Sequence, residues 1–259
     1  MVKQTSKKRG GAGYRFLRPL MRSRYKRPEF IYLDGQPVGG SVILSNHVGT
    51  DAPISLDFYY GAPIRFWGTG EMNSGLVKLY KYQSKVYYHE KKHWNLFLSR
   101  AFCLIASPLT NIFYSGLDLI STWHDARFAR TVCESRKTLL AGESIVIFPE
   151  DSTKGYLDRL EGFHPGFVAL GEYCLRHGYD IPVHVSYFNK KAKQYIFGKA
   201  HLFSVLKATY GTPEAIAEAL CQECNALADM LDDGSYRTAI LPQDEAQVAE
   251  AITPQVAVK

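Results

Sequence analysis

The chain of 259 residues is 46% hydrophobic and 13% aromatic, which is enough to bury one domain core and too apolar for a disordered polymer. Its 31 basic and 25 acidic residues leave a net charge of +6. That modest excess suits anionic lipid, nucleic acid or phosphorylated small molecules and does not choose among them.

Five cysteines, Cys103, Cys133, Cys174, Cys221 and Cys224, suggest reduced thiols in a cytoplasmic setting rather than a disulfide framework. Ten cations, from Lys3 to Arg27, precede the first acid, Glu29. Among them Tyr14, Leu17, Met21 and Tyr25 recur at helical spacing, the pattern of a short basic helix lying on an anionic membrane. A disordered basic tail is the other reading, and Pro19 counts against the helix. The segment lacks the apolar stretch of a secretory signal. Residues 1–28 therefore read as a basic membrane-associating arm, 29–240 as one domain and 241–259 as a loose tail.

Within the domain, residues 30–33 and 41–45 read as strands separated by the turn Asp34-Gly35-Gln36-Pro37. A helix should begin at Thr50 or Asp51, with Pro53 in its first turn, and residues 64–68 form a further strand. Residues 78–93 are rich in Tyr and Lys and fit no element. Residues 101–120 are apolar but interrupted by Pro108, Asn111 and Asp118. They read as a feature buried in the core or half inserted in a bilayer, not as a clean span. A strand over 117–122, a helix over 125–140 and a buried strand over 144–148 follow. Residues 166–177 form a helix closed by Gly178, 181–187 and 194–198 are strands, and Thr212 and Pro213 open a helix reaching 231. Such alternation describes an α/β fold, a mixed and largely parallel sheet flanked by helices. Sites in such sheets lie beyond the carboxyl ends of strands, here Asn46-His47 and Pro149-Glu150.

A histidine at a strand end with a carboxylate in the next turn, His47 and Asp51, has the makings of a general base and its orienter. Alternatively Asp51 caps a helix and His47 is a loop residue. The later segment, from Phe148-Pro149-Glu150 through Ser152, Thr153 and Lys154, offers hydroxyls, backbone N–H groups and an ammonium to an anion, or is a polar turn. Cys221 and Cys224 fall inside a helical pattern with no second ligand pair, so their CxxC spacing reads as incidental.

Taken together, these segments resemble the glycerolipid acyltransferase family, which includes the 1-acylglycerol-3-phosphate and lysophospholipid acyltransferases. The resemblance runs over residues 40–205. Asn46-His47 and Asp51 match its first block, and Phe148-Pro149-Glu150 with Thr153-Lys154 matches its FPEGTRS block. Gly162 to Leu170 and then Ile181-Pro182-Val183 match the segments that follow. Three residues separate His47 from Asp51 where the family has four, and Asp151-Ser152 replaces a single glycine.

The resemblance implies transfer of a fatty acyl group from acyl-CoA or acyl-carrier protein to a hydroxyl of a lysophospholipid or lysophosphatidate-like acceptor. His47 would be the base and Asp51 its orienter, with Glu150, Ser152, Thr153 and Lys154 holding the acceptor. It implies no metal and no bound cofactor beyond the thioester co-substrate. It also implies an anionic membrane surface as partner, a peripheral or monotopic place on the cytoplasmic face, and no nucleic acid. A non-catalytic lipid-binding protein with a degenerate site is the main alternative. A hydrolase is another, although no G-x-S-x-G elbow is present.

Overall fold

The computed structural model describes residues 11–150 and 157–240. Its centre is made by two apolar four-residue strands, β2 (Val42–Ser45) and β5 (Ser144–Ile147), each buried along its whole length. They lie side by side and parallel, with Leu44 opposite Ile147. Continuous burial is what a parallel sheet covered on both faces requires. On the other flank of β2 lies β6 (Pro182–Asn189), which turns back antiparallel into β7 (Gln194–Leu202). The edges are β1 (Glu29–Tyr32) on one side and β3 (Ile64–Thr69) with β4 (Ile120–Thr122) on the other. The order is β1-β7-β6-β2-β5-β3-β4, parallel except at the β6–β7 hairpin. The fold is thus the α/β arrangement with a mixed, largely parallel sheet that the alternation implies.

Because side chains alternate across a strand, each strand feeds two cores. Ile43, Val146 and Phe197 join the core beneath α1 (Ala12–Arg24), α2 (Asp51–Tyr59) and α4 (Leu96–Leu117). Leu44, Ile145, Ile147 and Val185 join the core beneath α5 (Phe128–Leu140), α6 (Gly166–Arg176) and α8 (Pro213–Asp233). The last of these helices opens as expected, with the Thr212 side chain accepting from the Ala215 N–H.

The described part of the N-terminal arm is a helix docked on the domain. Tyr14 is only 4% exposed, and its hydroxyl donates to Asp57 Oδ2 at 2.6 Å. Arg18 donates to the Asp57 carbonyl at 2.7 Å, and Tyr59 donates to the Tyr25 carbonyl at 2.7 Å. Pro19 lies inside α1 without ending it.

The apolar segment expected to be interrupted is a continuous helix. α4 runs for 22 residues through Pro108 and Asn111 and is long and apolar enough to cross a membrane. Ser99, Cys103, Ser107 and Phe113 face inward, while Phe97 and Ile105 are 77% and 76% exposed. Only 22% of its apolar window is buried, so core burial does not explain its composition. Residues 78–93 also take shape. α3 (Leu76–Lys81) runs into a π-helical stretch, Tyr82–Lys91, held to α4 where Ser107 Oγ donates to Gln83 Oε1 at 2.7 Å. Because α4 reaches Leu117 and Asp118 turns left-handed at φ +52°, the strand expected over 117–122 shrinks to β4. α7 (Phe203–Tyr210) and α9 (Tyr236–Ile240) complete the described chain. The tail over residues 241–259 and the segment 151–156 lie outside the described residues.

Candidate active site

The parallel pairing of β2 with β5 brings the two sequence segments together. β2 ends at Ser45 and β5 at Ile147, so Asn46-His47 and Phe148-Pro149-Glu150 leave the same end of the sheet from neighbouring strands. The His47 backbone N–H donates to Glu150 Oε1 at 3.0 Å. The half-buried His47 ring meets Phe148 edge-on, with centroids 4.8 Å apart, and Phe148 in turn stacks on Phe66.

The turn that carries His47 is held from behind as well. Asn46 is fully buried and uses both ends of its amide on one residue of β6. Its Oδ1 accepts from the Phe188 N–H at 2.7 Å and its Nδ2 donates to the Phe188 carbonyl at 3.1 Å. The side chain thereby stands in for the next rung of the β2–β6 ladder. Ser45 Oγ lies 2.9 Å from the hydroxyl of fully buried Tyr195. Past His47 the chain turns sharply, with Val48 at φ +40° and Gly49 at φ +66°. Glycine takes that conformation freely, whereas a β-branched residue there is strained by about 1–2 kcal/mol. A strained turn persists only where its surroundings over-determine it.

Glu150 is partly buried. Burial pushes its carboxyl from the ordinary range up to about 7, and the bond from the His47 N–H pulls the other way. Just beyond, Glu150 forms an isolated antiparallel bridge with Phe163, and the His164 N–H donates to the Pro149 carbonyl at 2.7 Å. The segment preceding α6 therefore braces the Pro149-Glu150 turn.

Asp51 is the first residue of α2, one turn from His47, and its Oδ2 and Oδ1 receive Lys190 Nζ at 2.9 Å and Lys193 Nζ at 3.7 Å. Both lysines belong to the β6–β7 hairpin. Asn189 caps that hairpin, accepting from the N–H groups of Lys191 and Ala192. Of the residues singled out by sequence, His47, Asp51 and Glu150 thus gather at the carboxyl end of the central strands. Ser152, Thr153 and Lys154 lie outside the described residues.

Sequence reasoning placed Asn46 at the strand end without a role, and did not single out Tyr195, Lys190 or Lys193. A buried asparagine leaves no periodic signature, although the lysines form a visible charge run, Lys190-Lys191-Ala192-Lys193, in a turn between two strands. The remaining prominent residues are structural. His184 is buried in β6, and burial holds its pKa below the ordinary value. Cys221 and Cys224 share the inner face of α8. No group of three or more His, Cys, Asp or Glu suited to a metal occurs among the described residues.

Comparison with protein-family models finds no match for the chain, and comparison with curated proteins finds none.

Proposed function

We propose that the chain is a membrane-surface O-acyltransferase that moves a fatty acyl group from acyl-CoA or acyl-carrier protein to a hydroxyl of a lysophospholipid or lysophosphatidate-like acceptor. The observation that carries the reading is the junction of His47 with Glu150 across adjacent parallel strands. It makes one site of the two segments on which the family resemblance rests. His47 takes the proton of the acceptor hydroxyl as that oxygen attacks the thioester carbonyl, since a neutral alcohol is a poor nucleophile at neutral pH. Asp51 orients the imidazole and balances the imidazolium that forms. The developing oxyanion sits at the N-terminus of α2, which opens four residues after His47 and carries partial positive charge. Ser152, Thr153 and Lys154 receive the acceptor's polar head.

An anionic membrane surface on the cytoplasmic side fits the outer helices. Phe97, Leu104, Ile105 and Leu109 of α4 and Phe16 and Leu20 of α1 are exposed apolar side chains. Exposed Arg15, Arg22, Arg24, Lys85 and Arg100 lie on or beside the same helices. Apolar side chains rimmed by cations suit the boundary between acyl chains and anionic headgroups.

The test is acyl transfer from labelled acyl-CoA or acyl-carrier protein to a lysophospholipid panel in anionic vesicles, with products identified by mass. His47→Ala should lower the rate by about 10² to 10⁴ with the fold kept. Full activity in folded His47→Ala protein would remove the proposal. A second reading, a lipid-binding protein without catalysis, draws on the two lysines that already engage Asp51. Its signature is salt-sensitive flotation with anionic vesicles and no acyl transfer to any acceptor.

A further inference from the structure

We infer that Glu150 and Asn46 are positioning residues that clamp the His47 turn from its two neighbouring strands, and that Glu150 acts on the reaction through the His47 backbone rather than by binding acceptor. The inference rests on the reading of His47 as the base.

Three observations lead to it. β2 is the central strand, flanked by β6 and β5, and its ladder pairing ends at Ser45. Beyond that point the ladder no longer holds the turn, and each neighbouring strand reaches it with polar groups. The backbone of Phe188, from the β6 side, takes both ends of the Asn46 amide. Glu150, from the β5 side, takes the His47 N–H at 3.0 Å. Immediately after the clamp, Val48 adopts φ +40° and Gly49 φ +66°. A valine does not hold such a conformation by preference, so the turn needs fixed points on its near side. The residues tied down are the base itself and the one before it. Glu150 is also a poor candidate for a freely available acceptor ligand. One of its oxygens is committed to a backbone donor, and burial raises the energy of its charge.

The chemistry needs such a clamp. A base serves only when its nitrogen lies within hydrogen-bond reach of the hydroxyl as attack begins, and displacement by about 1 Å costs on the order of 10²-fold. A clamp and an acceptor ligand therefore fail differently. Loss of the clamp lowers kcat and leaves ground-state acceptor binding in place. Loss of an acceptor ligand raises KM.

The experiment compares wild type, Glu150→Ala and Glu150→Gln in the full chain. Alanine removes the acceptor atom together with a carboxylate whose burial is unfavourable, so the fold is retained, as a thermal melt verifies. Glutamine keeps an oxygen at the same place. Selective ¹⁵N labelling of histidine gives eight backbone amides to follow, one of them His47, assigned by its loss in His47→Gln. Glu150→Ala should speed hydrogen exchange at the His47 amide at least tenfold and lower kcat by about 10- to 100-fold, with acceptor KM within about twofold. Glu150→Gln should restore most of both. Unchanged His47 exchange in Glu150→Ala would overturn the inference. So would a raised acceptor KM at wild-type kcat. Should the wild-type chain transfer no acyl group, the proposed function falls and the exchange measurement alone decides the clamp.

Discussion

A methyl group added at Gly116 tests how α1 is seated on the domain. An alanine Cβ there would lie 2.1 Å from Cγ and 2.4 Å from Cβ of Tyr14. Neither atom is the far end of a flexible chain, so the whole ring, and α1 with it, must move. Two contributions depend on that seat. Tyr14 is 4% exposed, and burying an aromatic side chain stabilises by about 1.5–3 kcal/mol. Its hydroxyl donates to Asp57, whose side chain is also 4% exposed, and a hydrogen bond to a charged group contributes about 1.5–3 kcal/mol. Complete loss of both is the upper limit. Overpacking relieved by a partial shift costs about 1–3 kcal/mol, and alanine's better helix propensity offsets about 1 kcal/mol. Gly116→Ala should therefore destabilise the chain by about 1–2 kcal/mol if α1 shifts in place and by about 2–5 kcal/mol if both contributions are lost, read as a lower urea midpoint at unchanged slope. Adding Tyr14→Ala to Gly116→Ala should cost less than the two single changes together, because the ring that clashes is gone. A Gly116→Ala protein about 1 kcal/mol more stable than wild type, the propensity effect alone, would show that α1 does not rest on α4 through this contact.

Two further outcomes follow from the site. Asp51→Asn should lower kcat far more than it changes acceptor KM, while costing less than about 1 kcal/mol of stability, because its partner Lys190 is exposed and Lys193 partly so. An unchanged rate would mean that the Asp51 carboxylate serves the hairpin lysines and does not orient His47. For Glu150, a carboxyl raised from 4.5 to about 7 keeps its proton in the folded state over a pH range where the unfolded chain releases it. Its contribution is then complete below about pH 4.5 and is lost as pH rises through about 7, a change on the order of 3 kcal/mol. Glu150→Gln should flatten that part of the urea-midpoint profile, and an identical profile in both proteins would refute the assignment.

The parts of the fold that were legible are those set by local pattern. Val42–Ser45 and Ser144–Ile147 are apolar runs bounded by turns, and Thr212 with Pro213 is an explicit helix start. Errors arose where tertiary packing overrode a local break signal. Pro108 and Asn111 read as interruptions, yet α4 passes through both and packs Ser107 against Gln83 of the adjacent π-helical stretch. Pro19 likewise does not stop α1, whose position is fixed by Tyr14 and Arg18 on Asp57. The far half of β7 was missed because its Lys199 and Ala200 are exposed, so alternation fades there although pairing with β6 continues. At the site, His47 and Glu150 were legible as residues, but the bond between them spans 103 positions and has no sequence signal.

The topology also bears on where a lipid would meet the base. α1, α2 and α4 cover the same face of the sheet, and α2 begins in the turn that carries His47. The outward apolar side chains of α1 and α4 belong to that layer, and Asp57 ties α1 to α2. Tyr25, just beyond α1, reaches Thr50 at the head of α2, with the two hydroxyls 3.4 Å apart. A helix resting in the headgroup region by its apolar side would thus share a rigid layer with the element that follows the base. Under the proposed function, the clamp from β5 and β6 would hold His47 against the sheet while the helical layer met the lipid.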